Sequence, residues 1–259
     1  MRSILCPIDG TATLDDRLET ALALARATNG HVTVQIANPF AEMAVWEPFG
    51  GAVLTADVMQ KARAEDRALA DQIDARLAPQ DVPFDVVTAD EAPIPAAGAA
   101  ARFADAIVTS LADPMIEELV LGVRSPVLAV PKGAPLVDFT GPAMIAWDGS
   151  IEAGHAMRAA LPVLRLASAV HLVTVDPAPE ALPACEAAAY LSRHGVHAQT
   201  HTVPPAGTIA ATLAATATRL QARVIVMGLF GHSRLRELFL GGVSRAMLDH
   251  ATVPLLLAH

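Results

Sequence analysis

The sequence predicts an α/β fold built as two tandem, doubly wound domains, each with a five-stranded parallel sheet. Three observations carry that expectation. Short apolar runs alternate with amphipathic stretches along the chain, the pattern of buried parallel strands joined by crossover helices. An Asp-Gly-hydroxyl triplet closes an apolar run twice, at Asp9-Gly10-Thr11 and at Asp148-Gly149-Ser150, about half the chain apart. After each triplet the same elements recur in the same order, so the chain reads as an internal duplication.

In the first half, Ser3 to Ile8 reads as a strand. Asp15 and Asp16 are placed to cap the next helix, whose face is Leu18, Ala21, Leu22 and Ala25, with Asn29-Gly30 as its stop. His31 to Ala37 is the second strand, which completes a right-handed βαβ unit. Met59 to Leu77 is the longest helix, with Ala62, Ala68, Leu69, Ile73 and Leu77 on its apolar side. A strand at Pro83 to Ala89, a weaker helix at Pro93 to Phe103, and strands at Asp105 to Ser110 and Ser125 to Pro131 complete this half. Pro135 to Pro142 is the expected linker, giving domains at 1–137 and 141–259.

The second half repeats the plan. An apolar run from Ala143 ends at the Asp148 triplet. A helix with Ala153, Ala156, Met157, Ala160, Leu161 and Leu164 comes next, and Pro162 should kink or end it. Val170 to Val175, Ala181 to His194, His197 to Val203, Thr208 to Leu220 and Ala222 to Gly228 continue as alternating strands and helices. Val243 to His250 is the last helix, and Val253 to Ala258 the last strand. The first half carries an extra segment, Phe40 to Leu54, with Trp46, Pro48 and Gly50-Gly51. It also lacks a segment: the interval from Ser110 to Pro126 is shorter than that from Gly228 to Pro254, and the missing piece is a glycine loop.

Bulk properties exclude several classes. The net charge of −9, with no compensating Lys/Arg cluster, argues against a nucleic-acid surface. Cys6 and Cys185 form no spacing motif, so neither a disulfide framework nor a zinc site is expected, and Cys6 reads as core. No apolar run is long enough to span a membrane and no leader pattern opens the chain, so a cytoplasmic location is expected.

The glycine loop is the candidate site. After the strand ending at Met227 come Gly228 and Gly231, then nine residues, then Gly241-Gly242 at the start of a helix with Val243 and Ser244 in its first turn. Glycines between a strand and a helix let backbone N–H groups approach an anion, and the helix dipole favours negative charge. Tight turns needing positive φ are the other reading of the same glycines. Asp148 stands at the carboxyl end of a strand, where open parallel sheets bind ligands, or else caps a helix, a task Ser150 could take. His232, Arg234, Arg236 and Arg245 put positive charge around the loop, or line a solvated face. No lysine occurs after Lys132, so a Walker-type phosphate loop is absent. His155, His171, His194, His197 and His201 read as scattered surface or satisfied polar residues.

With these residues in place the chain resembles a tandem universal stress protein, a Rossmann-like fold, over nearly its whole length. Asp148 and the Gly228-x-x-Gly231-nine residues-Gly241 spacing match the nucleotide-binding members, as does Val253-Pro254 before the last strand. The resemblance implies an adenine nucleotide, ATP with or without Mg, against Asp148, the main chain of Val175, and Met227, Gly228, Gly231, Gly241, Gly242, Val243 and Ser244. It implies a stress-response protein that binds and signals, with at most slow ATP hydrolysis. It also implies that the last strands of the two domains pair as an internal pseudo-dimer, with a homodimer of tandem chains as a further expectation. The alternatives are a member that binds no nucleotide and acts through dimerisation or other interactions, and an ATP-using hydrolase relative whose catalytic groups are not evident. The first half keeps Asp9 but has Thr109 to Asp113 in place of the loop, and so looks degenerate. One departure is specific. Gly242 stands where the family pattern has Ser or Thr, which removes a hydrogen bond to a charged group, a loss of roughly 1.5–3 kcal/mol, or about ten- to hundredfold in ATP affinity.

Overall fold

The computed structural model describes residues 1–8, 13–38, 56–229 and 241–259. Within them the strands are β1 (Ser3–Ile8), β2 (His31–Ala37), β3 (Phe84–Ala89), β4 (Ala106–Ser110), β5 (Val127–Val130), β6 (Ala143–Ala146), β7 (Val170–Val175), β8 (Ala198–Val203), β9 (Val224–Gly228) and β10 (Leu255–Ala258). The helices are α1 (Leu14–Thr28), α2 (Ala56–Leu77), α3 (Pro93–Ala100), α4 (Ile116–Gly122), α5 (Ile151–Ala159), α6 (Leu161–Leu164), α7 (Ala184–Arg193), α8 (Ile209–Arg219) and α9 (Gly242–His250).

The strands form one ten-stranded sheet in the order β3-β2-β1-β4-β5-β10-β9-β6-β7-β8. Each half contributes a doubly wound parallel array, and the two arrays meet where β5 and β10 pair antiparallel, with Leu255 opposite Ala129 and Leu257 opposite Val127. Val and Leu fill both faces of these strands because helices cover both. Alternation sorts the core into two layers. Val170 and Leu172 of β7 belong to the same layer as Ala153 and Ala156 of α5. Val173 and Val175 pack with Leu213 and Ala217 of α8 and Met247 of α9. Cys6 is fully buried, as its strand pattern requires.

Some local expectations hold and others are corrected. Thr13, not Asp15 or Asp16, is the N-cap residue of α1, and it makes no side-chain cap. The aspartates lie within the first turn, where Asp15 pairs with Arg76 and Asp16 accepts from the Gly133 N–H at 2.7 Å. Asn29 does end α1, in the left-handed region at φ 50°. Ala68 faces solvent; the buried line of α2 runs through Ala62, Ile73 and Leu77, with Leu69 and Ala70 half-buried. The helix after Ser150 stops at Ala159, and Pro162 sits in the first turn of the separate α6, because Pro supplies no N–H to continue the first one. The segment 135–142 is more than a tether. Leu136 and Phe139 are buried, and the Leu136 N–H donates to Thr20 Oγ at 2.9 Å, which fastens it to α1. The histidines are satisfied or at the surface as expected, but two of them are not scattered: His171 and His201 touch across β7 and β8, while His155 Nδ1 lies 2.8 Å from the His259 carbonyl oxygen. The segment Phe40 to Leu54 and the triplet at Asp9 lie outside the described residues.

Candidate ligand-binding site

The site begins where β6 ends. The Trp147 N–H continues the ladder to Val173 O at 2.8 Å, and its indole Nε1 donates to Leu182 O at 2.9 Å. The backbone then turns through Asp148, whose exposed side chain accepts from the Ser150 N–H at 2.9 Å. Gly149 sits at φ 78°, and a Cβ there would stand 2.5 Å from the Leu182 nitrogen. Only glycine allows both the turn and the close passage of the 177–183 segment. Ser150 caps α5 by accepting from the Ala153 N–H at 3.1 Å. Capping therefore falls to Ser150, and Asp148 fixes the turn before it.

Gly228 closes the next side. A Cβ at this position would lie 2.4 Å from the carbonyl carbon of Glu152 and 2.5 Å from the Ala153 nitrogen. The glycine thus lets the first turn of α5 lie against the end of β9. Its φ is not positive, and neither is that of Gly241, which is extended at φ −60° and ψ 148°. For these two the tight-turn explanation fails. Among the described residues, a Cβ at Gly241 or Gly242 would meet nothing within 4 Å. Both stand on the rim of open space.

That space is a cavity of about 330 Å³, within the range of small-molecule sites. Asp148, Val175, Met227, Gly228, Gly241, Gly242, Val243 and Ser244 all line it. Gly231 lies outside the described residues, as do His232, Arg234 and Arg236. Along α9 the Arg245 N–H is the first to find an intrahelical partner, Gly241 O at 3.0 Å. Gly241 caps the helix without a side chain, so the N–H groups of Gly242, Val243 and Ser244 have no intrahelical acceptor. Ser244 is 7% exposed and belongs to the same wall. Arg245 is not in that wall. It extends toward Glu117 of α4 at 3.6 Å and Asp249 at 3.9 Å, a solvated ion-pair face.

The sequence pattern did not reveal the whole lining. Val173, Ile209 and Leu213 supply much of the apolar surface, and Trp147 and Asp176 stand at its edge. The signals existed: Val173 shares a strand face with Val175, and Ile209 and Leu213 are four apart on one helix face. Asp176 sits at φ 48°, a left-handed conformation uncommon outside glycine, and it turns the chain beside the cavity it lines. The lining therefore combines an apolar floor, two carboxylates and a row of helix N–H donors.

Architecture and cavity together define a tandem doubly wound α/β protein with a ligand-sized cleft at the carboxyl ends of β6, β7 and β9. Residues 184–259 match the sequence profile of the Universal stress protein family. The chain is similar in structure to a universal stress protein from Archaeoglobus fulgidus, with a TM-score of 0.77, 15% identity, and coverage of 99% of this chain and 97% of that one. It is also similar to a functionally unknown protein from Pseudomonas aeruginosa, with a TM-score of 0.62, 19% identity, and coverage of 99% and 92%. No curated protein sequence matches the chain. The family match thus lies within the second half, and the whole chain shares its fold with the Archaeoglobus fulgidus universal stress protein.

Proposed function

We propose that the cavity binds an adenine nucleotide and that the protein acts in stress response by binding and signalling, not by turnover. The observation that supports this most is convergence. Asp148, the end of β7, the end of β9 and the start of α9 come from distant parts of the chain and line one cavity. The apolar floor suits a base, and the carboxylate of Asp148 suits sugar hydroxyls. The N–H groups that start α9 suit phosphate, since the helix dipole favours negative charge there. The open space beside Gly241 and Gly242 lets a ligand come against the backbone. Magnesium in this reading travels on the phosphates, the usual way it is held.

In the same reading the ligand belongs to a second domain, 141–259, and 1–137 is a partner domain without the glycine loop. Cytoplasmic location is part of the proposal; no helix among the described residues is long and apolar enough to cross a membrane. The test is calorimetry of the purified protein with ATP and AMP, with release of phosphate measured in parallel. Saturable binding without release supports the proposal. No binding at millimolar nucleotide overturns it in favour of an interaction protein that assembles through its surfaces.

A further inference from the structure

His171 is a titratable side chain in the middle of a buried strand. It is 8% exposed and by alternation shares the α8-facing side of β7 with Val173 and Val175. Its register neighbour on β6 is the buried Met144. Toward the sheet edge its Nδ1 lies 3.1 Å from Nε2 of His201 on β8, with ring centroids 5.2 Å apart and tilted by 51°. His201 stands opposite Val173 in the register, diagonal to His171 on the same face.

At this separation one ring nitrogen donates and the other accepts. The contact survives while one facing nitrogen lacks a proton. A second proton sets two N–H groups, and two positive charges, against each other. The charged and titratable groups that act on His171 are His201 from β8 and Arg219 from α8, and both are cationic when charged. Burial first, then His201 and Arg219, hold the His171 imidazole below the ordinary histidine range. The folded state therefore excludes a proton that an opened state accepts.

We propose that His171 and His201 form a proton-operated latch: acid releases the edge strand β8 and loosens α8 from β7, the two elements that supply Val173, Val175, Ile209 and Leu213 to the cavity wall. The latch stands on the geometry of the pair alone, whereas its effect on a ligand rests on the nucleotide reading above. Stability from the pair is fully present above the unfolded histidine value of about 6.5. It is lost as pH falls toward the lowered folded value, and the opening equilibrium grows by up to about tenfold per pH unit for one proton taken up.

The test is amide hydrogen exchange of the full chain between pH 5.5 and 7.5, corrected for intrinsic rates and read in β8 and α8 against β1 and β2. In the unsubstituted protein the opening equilibrium of β8 and α8 should rise several-fold, toward tenfold, from pH 6.5 to 5.5, with β1 and β2 unchanged. His171→Val, apolar and suited to a buried strand, should be nearly flat. His201→Gln, at a half-buried edge position, should be shallower. No rise in the unsubstituted protein, or an equal rise in both variants, overturns the latch. ATP titrations at pH 5.5 and 7.5 read the coupling. Weaker binding in acid that His171→Val abolishes supports it, and equal affinity at both values overturns it. Absence of ATP binding at either value counts against the nucleotide reading and leaves the exchange result standing.

Discussion

A methyl group added at Gly228 has nowhere to go. The Cβ of Gly228→Ala would stand 2.4 Å from the carbonyl carbon of Glu152, 2.5 Å from the Ala153 nitrogen and 2.7 Å from the Glu152 carbonyl oxygen. All three are backbone atoms in the first turn of α5, so no side-chain rotation relieves the contact. Either α5 withdraws from β9 or the strand end bends, and overpacking of this kind costs about 1–3 kcal/mol. At about 2–4 °C per kcal/mol for a chain near this size, the melting temperature should fall by roughly 2–12 °C. The comparison is Gly242→Ala, whose Cβ meets nothing within 4 Å among the described residues, at the first position of α9. In a helix, alanine is favoured over glycine by up to about 1 kcal/mol, so this variant should be as stable as the unsubstituted protein or slightly more so. Both are measured by thermal and urea unfolding without ligand. A Gly228→Ala protein that unfolds together with Gly242→Ala and the unsubstituted protein would refute a packing role for Gly228 between helix and strand.

Three further outcomes are expected. Gly242→Ser places a hydroxyl at the start of α9 and should tighten ATP by about ten- to hundredfold in calorimetry, the free energy of one hydrogen bond to a charged group; unchanged affinity would show that a side-chain donor at position 242 has no part in binding. Ser150→Ala removes the cap of α5 and should cost about 1 kcal/mol in urea unfolding, whereas Asp148→Ala should reduce nucleotide affinity more than stability. Asp105 is held below the usual carboxylate range by the backbone N–H of Arg2 and then that of Ser3. Its contribution is present above the unfolded value of about 3.9 and is lost as pH falls through the lowered folded value. Asp105→Asn should therefore flatten the decline in melting temperature below about pH 4; an identical decline would show that the contact contributes nothing.

Much of the fold was legible because periodicity and punctuation record local physics. Asn29 ends α1 in the left-handed region, Pro162 begins a new helix, and Thr208 caps α8 by accepting from the Ala211 N–H at 3.1 Å, each as its residue type requires. Ala68 misled because alanine suits either side of a helix. Asp15 and Asp16 misled because two acidic residues near a helix start fit a cap or a first turn equally well. The meeting of two histidines was hidden for a different reason: nothing in the spacing of His171 and His201 shows that the register of β7 and β8 brings their rings together.

The chain by itself determined that there are two α/β units, that only the second has the glycine loop, and which residues could face a ligand. It did so because strand alternation, helix caps and glycine spacing are set by neighbours along the chain. Tertiary structure decided where those residues sit and what they pack against. Gly228 makes room for the backbone of α5, Gly241 and Gly242 leave space open, and Arg245 turns away toward Glu117. These roles depend on what comes close across the sheet, and distances between elements remote in sequence are fixed only when the whole core packs.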